Sequence, residues 1–346
     1  GPTVAMVASN VSEATITMFG QGQAAAAVGA VINLDYGDAP ISYGAAAAQY
    51  LTGWNGSSLP DGTTDAFSTR LAWPPRNPDV MLGRRIDPEP VNPVNGDGTQ
   101  DDKNPASPND EDAISETPLY HVIRGGGTAT QEIACTGRGH NRGWVDWNRD
   151  GSFSSDERSE VTSCSRAGKA NLTWTVPQGA KRSTLNGDGA ATFMRLRITG
   201  PLANGQAAED PQPTGIALNG EVEDHQIQVQ LPNLTMVKEV DNTAAGSLGL
   251  SANDWTLTAS PKTGTEVSGA GGFSASYIPQ GKTVLSESSS SAKSAGYKAT
   301  VTCAPHPNSD IKTPASTLDA ASKTLDLATG EWMRCTIVNT ALPGQV

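Results

Sequence analysis

Residues 146–157 carry a loop pattern whose spacing leaves few structural alternatives. Oxygen-bearing side chains occupy its first, third and fifth positions, glycine the sixth and glutamate the twelfth, as in the calcium loop D-x-[DN]-x-[DN]-G-x5-E. Calcium is a hard ion that takes about six to eight oxygen ligands. The pattern predicts a Ca²⁺ site formed by Asp146, Asn148, Asp150, Ser152, Ser154 and Glu157. The alternative is an acidic turn that binds no ion.

The residues on either side of this loop do not predict the two helices of an EF-hand. Residues 143–145 read as a strand, and residues 159–168 are polar and contain a cysteine. We therefore expect the loop to lie in a β-domain.

The rest of the chain has the composition of an all-β protein. Short apolar/polar alternations bounded by Gly, Pro and Asn recur at residues 144–147, 172–176, 193–198 and 225–231, and long apolar helical repeats are missing. Many short strands with such turns predict a jelly-roll-like sandwich. The net charge of −12 argues against nucleic acid or an anionic membrane as a partner. We also expect no membrane insertion by this chain.

The four cysteines fall into two pairs along the chain, Cys135 with Cys164 and Cys303 with Cys335. No CxxC spacing suggests zinc. Two intradomain disulfides formed in an oxidising, extracellular compartment are the simplest interpretation. Four buried thiols are the alternative.

A series of short motifs gives the first resemblance to a known family. DYGDAP at residues 35–40, Tyr43-Gly44, the acidic run 110–112, the Asp146 loop and GEVEDH at residues 220–225 occur in this order. Together they resemble a GEVED domain, a module of large bacterial surface proteins that include fibrillar adhesin-like ones. The resemblance covers about residues 34–231, and it departs at His225, where the family usually has tyrosine.

Acidic clusters accompany these motifs at 35–38, 97–112 and 221–224. A second calcium ion and a solvated acidic loop are both compatible with the cluster at 97–112. For the clusters at 35–38 and 221–224, a shared ion and hydrogen bonds that join the first and last strands are both possible.

Residues 234–240 predict the first strand of a second, smaller β-sandwich. Alternation places Lys238 among the apolar side chains of Leu234 and Met236, where a bare ammonium is very costly. The same alternation puts Glu287 beside Leu285 and puts Asn339 on the face of Cys335. Asp254 is a second candidate acid, but its neighbours Trp255 and Leu257 predict that it points outward.

This constellation resembles the Cna-B or prealbumin-like domains of Gram-positive pilins and adhesins, over about residues 232–341. The resemblance implies that Lys238 and Asn339 condense to an intramolecular isopeptide bond with loss of ammonia, while Glu287 shuttles protons. An apolar site favours the neutral, nucleophilic amine, and a protonated carboxyl polarises the carboxamide. The alternative is a buried Lys238–Glu287 ion pair that hydrogen-bonds Asn339.

The expected organisation is residues 1–33 as leading strands or the remnant of a preceding domain, 34–231 as the GEVED-like domain and 232–346 as the prealbumin-like, Ig-like domain. Gly1-Pro2 is typical of a protease-cleaved terminus, so neighbouring domains of one precursor are expected partners. The expected function is a stalk or ligand-presenting segment of a Gram-positive cell-surface (cell-wall) adhesin. Its ligand would be a host or bacterial surface protein or a glycan.

Two other function classes compete with this one. A carbohydrate- or protein-binding module would stack a sugar on Trp54 or Trp73, although packing of both rings is the simpler interpretation. An enzyme has little support. The motifs G-x-S-x-G, HExxH and the P-loop are missing, and the four histidines are scattered singly.

Overall fold

A computed structural model describes residues 34–49, 80–86, 110–114, 121–124, 126–183, 192–201, 207–244 and 248–344, and it confirms an all-β fold. The strands predicted within residues 1–33, the tryptophans at 54 and 73, and the acids at 97–102 lie outside these residues. Helical structure in the described ranges is limited to short 3₁₀ turns at Ile41–Tyr43, Ala252–Asp254 and Ala292–Gly296. No helix in those ranges is long and apolar enough to cross a membrane.

Eleven strands form the first part of the described chain. They are β1 (Leu34–Tyr36), β2 (Ala46–Gln49), β3 (Met81–Leu82), β4 (His121–Arg124), β5 (Thr128–Thr136), β6 (His140–Val145), β7 (Thr162–Ser163), β8 (Lys169–Thr175), β9 (Thr192–Thr199), β10 (Gly215–Ala217) and β11 (Gly220–Gln230). A five-stranded sheet of order β4-β11-β9-β6-β7 lies between two three-stranded sheets, β3-β5-β8 and β1-β2-β10. The main core, which includes Trp147, Leu172 and Leu196, fills the space against β3-β5-β8.

Strand β9 is buried on both of its faces, whereas its alternating sequence predicts a half-buried strand. One face, with Met194, Leu196 and Ile198, contributes to the main core. The other face carries Arg195 and Arg197, which the sheet β1-β2-β10 and the segment before β10 cover with backbone carbonyls. The polar residues that alternate along β9 therefore line a second buried region, in which the arginines form hydrogen bonds.

Nine strands form the C-terminal part. They are β12 (Asn233–Asp241), β13 (Thr256–Pro261), β14 (Val267–Ala270), β15 (Gly272–Tyr277), β16 (Gly281–Ser288), β17 (Tyr297–Pro305), β18 (Thr317–Asp319), β19 (Thr324–Leu327) and β20 (Trp332–Ala341). The sheets β15-β12-β20-β17 and β14-β13-β16-β19-β18 enclose one core that includes Leu257, Leu285 and Ile337. The first and last strands, β12 and β20, are parallel neighbours paired from Asn233↔Trp332 to Asp241↔Thr340.

The four cysteines form two disulfides, Cys135–Cys164 and Cys303–Cys335. The second joins directly opposed residues of β17 and β20.

Arg182 connects the two parts of the chain. Its guanidinium donates to the carbonyls of Leu231 and Gly330, and pairs with Asp310 at 2.9 Å. The Arg182 side chain is only 5% exposed, so its bonds to the two carbonyls are shielded from water, whereas Asp310 is 34% exposed. Burial lowers the pKa of Arg182 and the charge of Asp310 opposes that shift.

Candidate functional site

The 146–157 loop begins directly after β6 and folds back onto that strand. A β-bridge joins Trp144 to Arg158, which fixes the two ends of the loop side by side. Asp146 accepts the backbone N–H groups of Asp150 at 3.1 Å and Gly151 at 3.0 Å. Gly151 has a φ of 82°, a left-handed conformation that glycine adopts without steric cost. This sharp turn is the one that the sixth position of the pattern requires.

Glu157, at the twelfth position, is fully buried and closes the loop. One carboxylate oxygen accepts the N–H groups of Trp147 at 2.9 Å and Asn148 at 3.3 Å. The other accepts the N–H and the hydroxyl of Ser154, both at 2.9 Å. Burial raises the pKa of Glu157, and these hydrogen bonds oppose that shift.

The remaining predicted calcium ligands are linked to one another. Asn148 Nδ2 donates to Asp150 Oδ2 at 2.9 Å, and Asp150 Oδ1 accepts the Ser152 hydroxyl at 2.6 Å. These bonds hold the pKa of Asp150 below its usual value. All six predicted ligands thus belong to one hydrogen-bonded oxygen cluster.

Tyr43 belongs to this cluster, although loop spacing gives no sign of it. Its hydroxyl donates to Asp146 Oδ2 at 2.7 Å, and its ring packs on Phe153 and Phe193. Burial and the neighbouring Asp146 raise the pKa of Tyr43. The sequence does contain the Tyr43-Gly44 motif, but nothing in the sequence indicates that Tyr43 contacts Asp146.

Buried carboxylates join the DYGDAP, 110–112 and GEVED motifs through hydrogen bonds. Each accepts a backbone N–H of another segment. The pairs are Asp35 with Val222 N–H at 2.6 Å, Glu111 with Asp224 N–H at 3.2 Å, Glu221 with Leu82 N–H, Glu223 with Ala113 N–H at 3.1 Å, and Asp224 with Ala39 N–H at 2.8 Å. Of the two explanations left open for the clusters at 35–38 and 221–224, hydrogen bonds between the first and last strands are present.

Arg195 neutralises one of these acids. It binds Asp224 through two hydrogen bonds of 2.7 Å, and both side chains are fully buried. Arg197 lies two residues further along β9, on the same face, and donates to the carbonyl of Ala47 at 2.6 Å. Burial lowers the pKa of Arg197 to about 10.

Two of the three groups predicted from the resemblance are in contact inside the C-terminal sandwich, and the third, Asn339, is buried on the neighbouring strand. Lys238 Nζ lies 2.7 Å from Glu287 Oε2, and the Lys238 side chain is fully buried. Asn339 is 1% exposed on the adjacent strand β20, two residues beyond the register partner of Lys238. Its Oδ1 accepts no hydrogen bond within the described residues. Trp255 covers the amine at 4.8 Å from its ring centroid, and burial lowers the pKa of Lys238.

The second candidate acid does not enter this site. Asp254 is exposed and accepts the N–H of Ser251 at 2.7 Å and its hydroxyl at 2.8 Å, so the prediction that it points outward is confirmed. The tryptophans in the described residues are all buried and offer no exposed ring to a sugar, namely Trp144, Trp147, Trp174, Trp255 and Trp332.

Two family models match the chain. Residues 140–228 match the GEVED domain, and residues 230–337 match the prealbumin-like fold domain. Both are structural, non-enzymatic domains. No curated protein matches the chain in sequence at a significant level.

Solved structures with some similarity include a bacterial adhesin and major pilins. A Mobiluncus mulieris adhesin containing intramolecular disulfide, isopeptide and ester bond cross-links shares 11% identity over 62% of this chain and 91% of its own, with a TM-score of 0.26. The major pilin protein T-13 of Streptococcus pyogenes shares 9% identity over 63% and 98%, with a TM-score of 0.21. The Bacillus cereus major pilin BcpA shares 13% over 64% and 67%, with a TM-score of 0.24. Because these TM-scores are low, the domains are assigned from the two family matches alone. The chain therefore carries a GEVED domain followed by a prealbumin-like domain.

Proposed function

We propose that the chain is a load-bearing segment of a Gram-positive cell-surface adhesin or pilus-like stalk, and that an isopeptide bond between Lys238 and Asn339 reinforces its second domain. The observation that carries the proposal is the buried Lys238–Glu287 pair, together with a buried Asn339 on the adjacent parallel strand, two residues beyond the register partner of Lys238. The surface that would bind a protein or glycan ligand lies in this chain or in neighbouring domains of its precursor.

The position of the proposed bond suits a load-bearing role. Strand β12 begins the second domain and β20 ends it, and the two strands are parallel neighbours. A covalent bond from Lys238 to Asn339 would carry tension from the first strand directly to the last. The chain between them would then bear no load, and its unfolding rate would no longer limit resistance to force.

The surroundings of Lys238 favour the chemistry of bond formation. Burial lowers the pKa of Lys238, which favours the neutral amine that attacks a carbonyl carbon. Attack of Nζ on Cγ of Asn339 forms the amide and releases the side-chain nitrogen as ammonia. Glu287, in contact with Nζ, accepts the amine proton and delivers a proton to the leaving nitrogen, so that atoms and charges balance.

Calcium would reinforce the first domain. The donors at Asp146, Asn148, Asp150, Ser152, Ser154 and Glu157 are oxygens in the order that calcium loops use. Two of the carboxylates, Asp146 and Glu157, are fully buried, and a bound divalent cation would offset the cost of burying both charges. The ion would also draw the exposed Asp150 toward them.

Extension of the reduced protein under force tests the load-bearing role. With the disulfides reduced, the proposed bond should leave the roughly 100 residues between Lys238 and Asn339 inextensible. A Lys238→Met variant should gain a contour length of roughly 330–360 Å. An equal extension for the wild-type protein and the variant would contradict the proposal.

A further inference from the structure

A second group of potential metal ligands lies outside the 146–157 loop, where strand β11 meets the segment 110–112. His225 Nε2 lies 2.9 Å from Glu223 Oε2 and 3.4 Å from Glu111 Oε2. In the part of the chain that the structure describes, this is the one group of three or more His, Cys, Asp or Glu residues whose ligand atoms all lie within 4.8 Å of one another. Ligand atoms about 2.1 Å from a tetrahedral zinc ion are roughly 3.4 Å apart. The His225–Glu111 separation equals this value, and the His225–Glu223 separation would lengthen by about 0.5 Å to reach it.

Backbone hydrogen bonds hold the two carboxylates in place. Glu111 accepts the N–H of Asp224 through Oε1, and its Oε2 faces the imidazole. Glu223 accepts the N–H of Ala113 at 3.1 Å. Partners of this kind orient metal ligands in known sites. The Glu223 side chain is 2% exposed, Glu111 8% and His225 10%, so the group is largely buried while Glu111 and His225 keep slight contact with solvent.

A neighbouring buried carboxylate, that of Glu221, also lacks a full set of hydrogen-bond partners within the described ranges. Glu221 lies on the same face of β11 as Glu223 and is fully buried. Its Oε1 has no hydrogen-bond partner among the described residues. Asp35, Asp110 and Glu223 are buried carboxylates of the same region. Buried carboxylates at this density need protons or a cation.

We propose that Glu111, Glu223 and His225 form a zinc site, separate from the calcium loop, with a fourth position open to water. The imidazole nitrogen decides the class of metal, because nitrogen ligands favour zinc and its transition-metal neighbours whereas calcium takes oxygen. The site joins the 110–112 segment to β11, so zinc would fasten two segments that are distant in sequence.

Zinc titration of the whole chain tests this proposal. The protein is freed of metals with a chelator, supplied with excess CaCl₂ to fill the loop, and titrated with ZnCl₂ by calorimetry. We expect one zinc per chain, with affinity lowered at least about 10-fold in His225→Gln. His140→Gln is the matched control, since His140 is a partly exposed histidine of the same domain, and its zinc affinity should equal that of the wild type.

A spectroscopic measurement guards against a folding defect in the variant. Co²⁺ in place of zinc should give visible d–d absorption in the wild-type protein and none in Glu111→Gln, whose amide oxygen can still accept the N–H of Asp224. The absence of zinc binding, or an equal affinity in wild type and His225→Gln, would overturn the site. In that case the three residues form a hydrogen-bonded ion cluster only.

Discussion

Lys238 and Glu287 form a 2.7 Å ion pair between the two sheets of the prealbumin-like domain, and the lysine side chain is completely shielded from solvent. Leu234 and Met236 flank Lys238 along the inward face of β12, and Trp255 covers its amine. A charge in such a position is either matched or chemically consumed, because an unpaired buried ammonium is very costly.

Removal of the carboxylate should therefore have two separable effects. We expect Glu287→Ala to prevent isopeptide formation, because no group then shuttles the protons. It should also lower the free energy of unfolding by about 3–5 kcal/mol relative to Glu287→Ala/Lys238→Met, since the unpaired ammonium stays buried. Mass spectrometry measures the first effect and urea denaturation the second. A cross-link that forms normally in Glu287→Ala would exclude the carboxylate from the chemistry.

The pKa of Lys238 predicts a pH dependence in a variant that cannot form the bond, Asn339→Ala. Burial lowers the folded-state pKa below the ordinary value of 10.5. Between the two values the unfolded chain binds more protons, so the free energy of unfolding should rise with pH in that window and fall as pH drops through the folded-state pKa. Urea denaturation at about pH 8 and about pH 9.5 measures the change. The control Asn339→Ala/Lys238→Met should show a flatter profile, and identical profiles would contradict the assignment.

Calcium removal should destabilise the GEVED domain. We expect EDTA to lower its melting temperature, because an ion at 100 times its dissociation constant contributes about 2.7 kcal/mol. Asp150→Ala should abolish the response to added CaCl₂. Asp156→Asn is the control, since Asp156 is exposed and occupies a position of the loop outside the predicted ligand set. Scanning calorimetry with and without CaCl₂ makes the measurement, and a calcium response that persists in Asp150→Ala would count against the loop.

The pair Arg195–Asp224 should be far more sensitive than a surface pair. Arg195→Ala leaves Asp224 buried and uncompensated, so we expect a loss of about 3–5 kcal/mol in the free energy of unfolding. Lys169→Ala removes an exposed pair with Glu132 and should change it by about 0–1 kcal/mol. Chemical denaturation compares the two variants. Similar losses of unfolding free energy in both variants would show that burial does not determine how much the Arg195–Asp224 pair stabilises the fold.

Local spacing was sufficient to predict part of this arrangement. The sharp turn at Gly151 and the closure of the loop by Glu157 follow from fixed positions in one segment. The inward direction of Lys238, Glu287 and Asn339 follows from alternation within single strands. The contacts of Tyr43 with Asp146, and of Arg182 with Leu231, Gly330 and Asp310, could not be predicted in this way. They depend on which segments the sheets bring together, and no local pattern encodes that. The two buried faces of β9 were missed for the same reason, because the covering sheet comes from β1, β2 and β10.

The histidine of the GEVEDH motif illustrates the same limit. Sequence alone marks His225 only as a departure from the tyrosine usual in the family. Only the fold brings Glu111 to within 3.4 Å of its ring nitrogen.

The intact mass of the fully reduced, chelator-treated protein tests the central claim most directly. An isopeptide bond between Lys238 and Asn339 predicts a mass about 17 Da below that of the reduced chain, the loss of one ammonia, and a cross-linked peptide that joins the two residues. Lys238→Met should show no deficit. A wild-type mass equal to that of the plain reduced chain would contradict the account, and Lys238 would then be a buried ion-pair partner of Glu287.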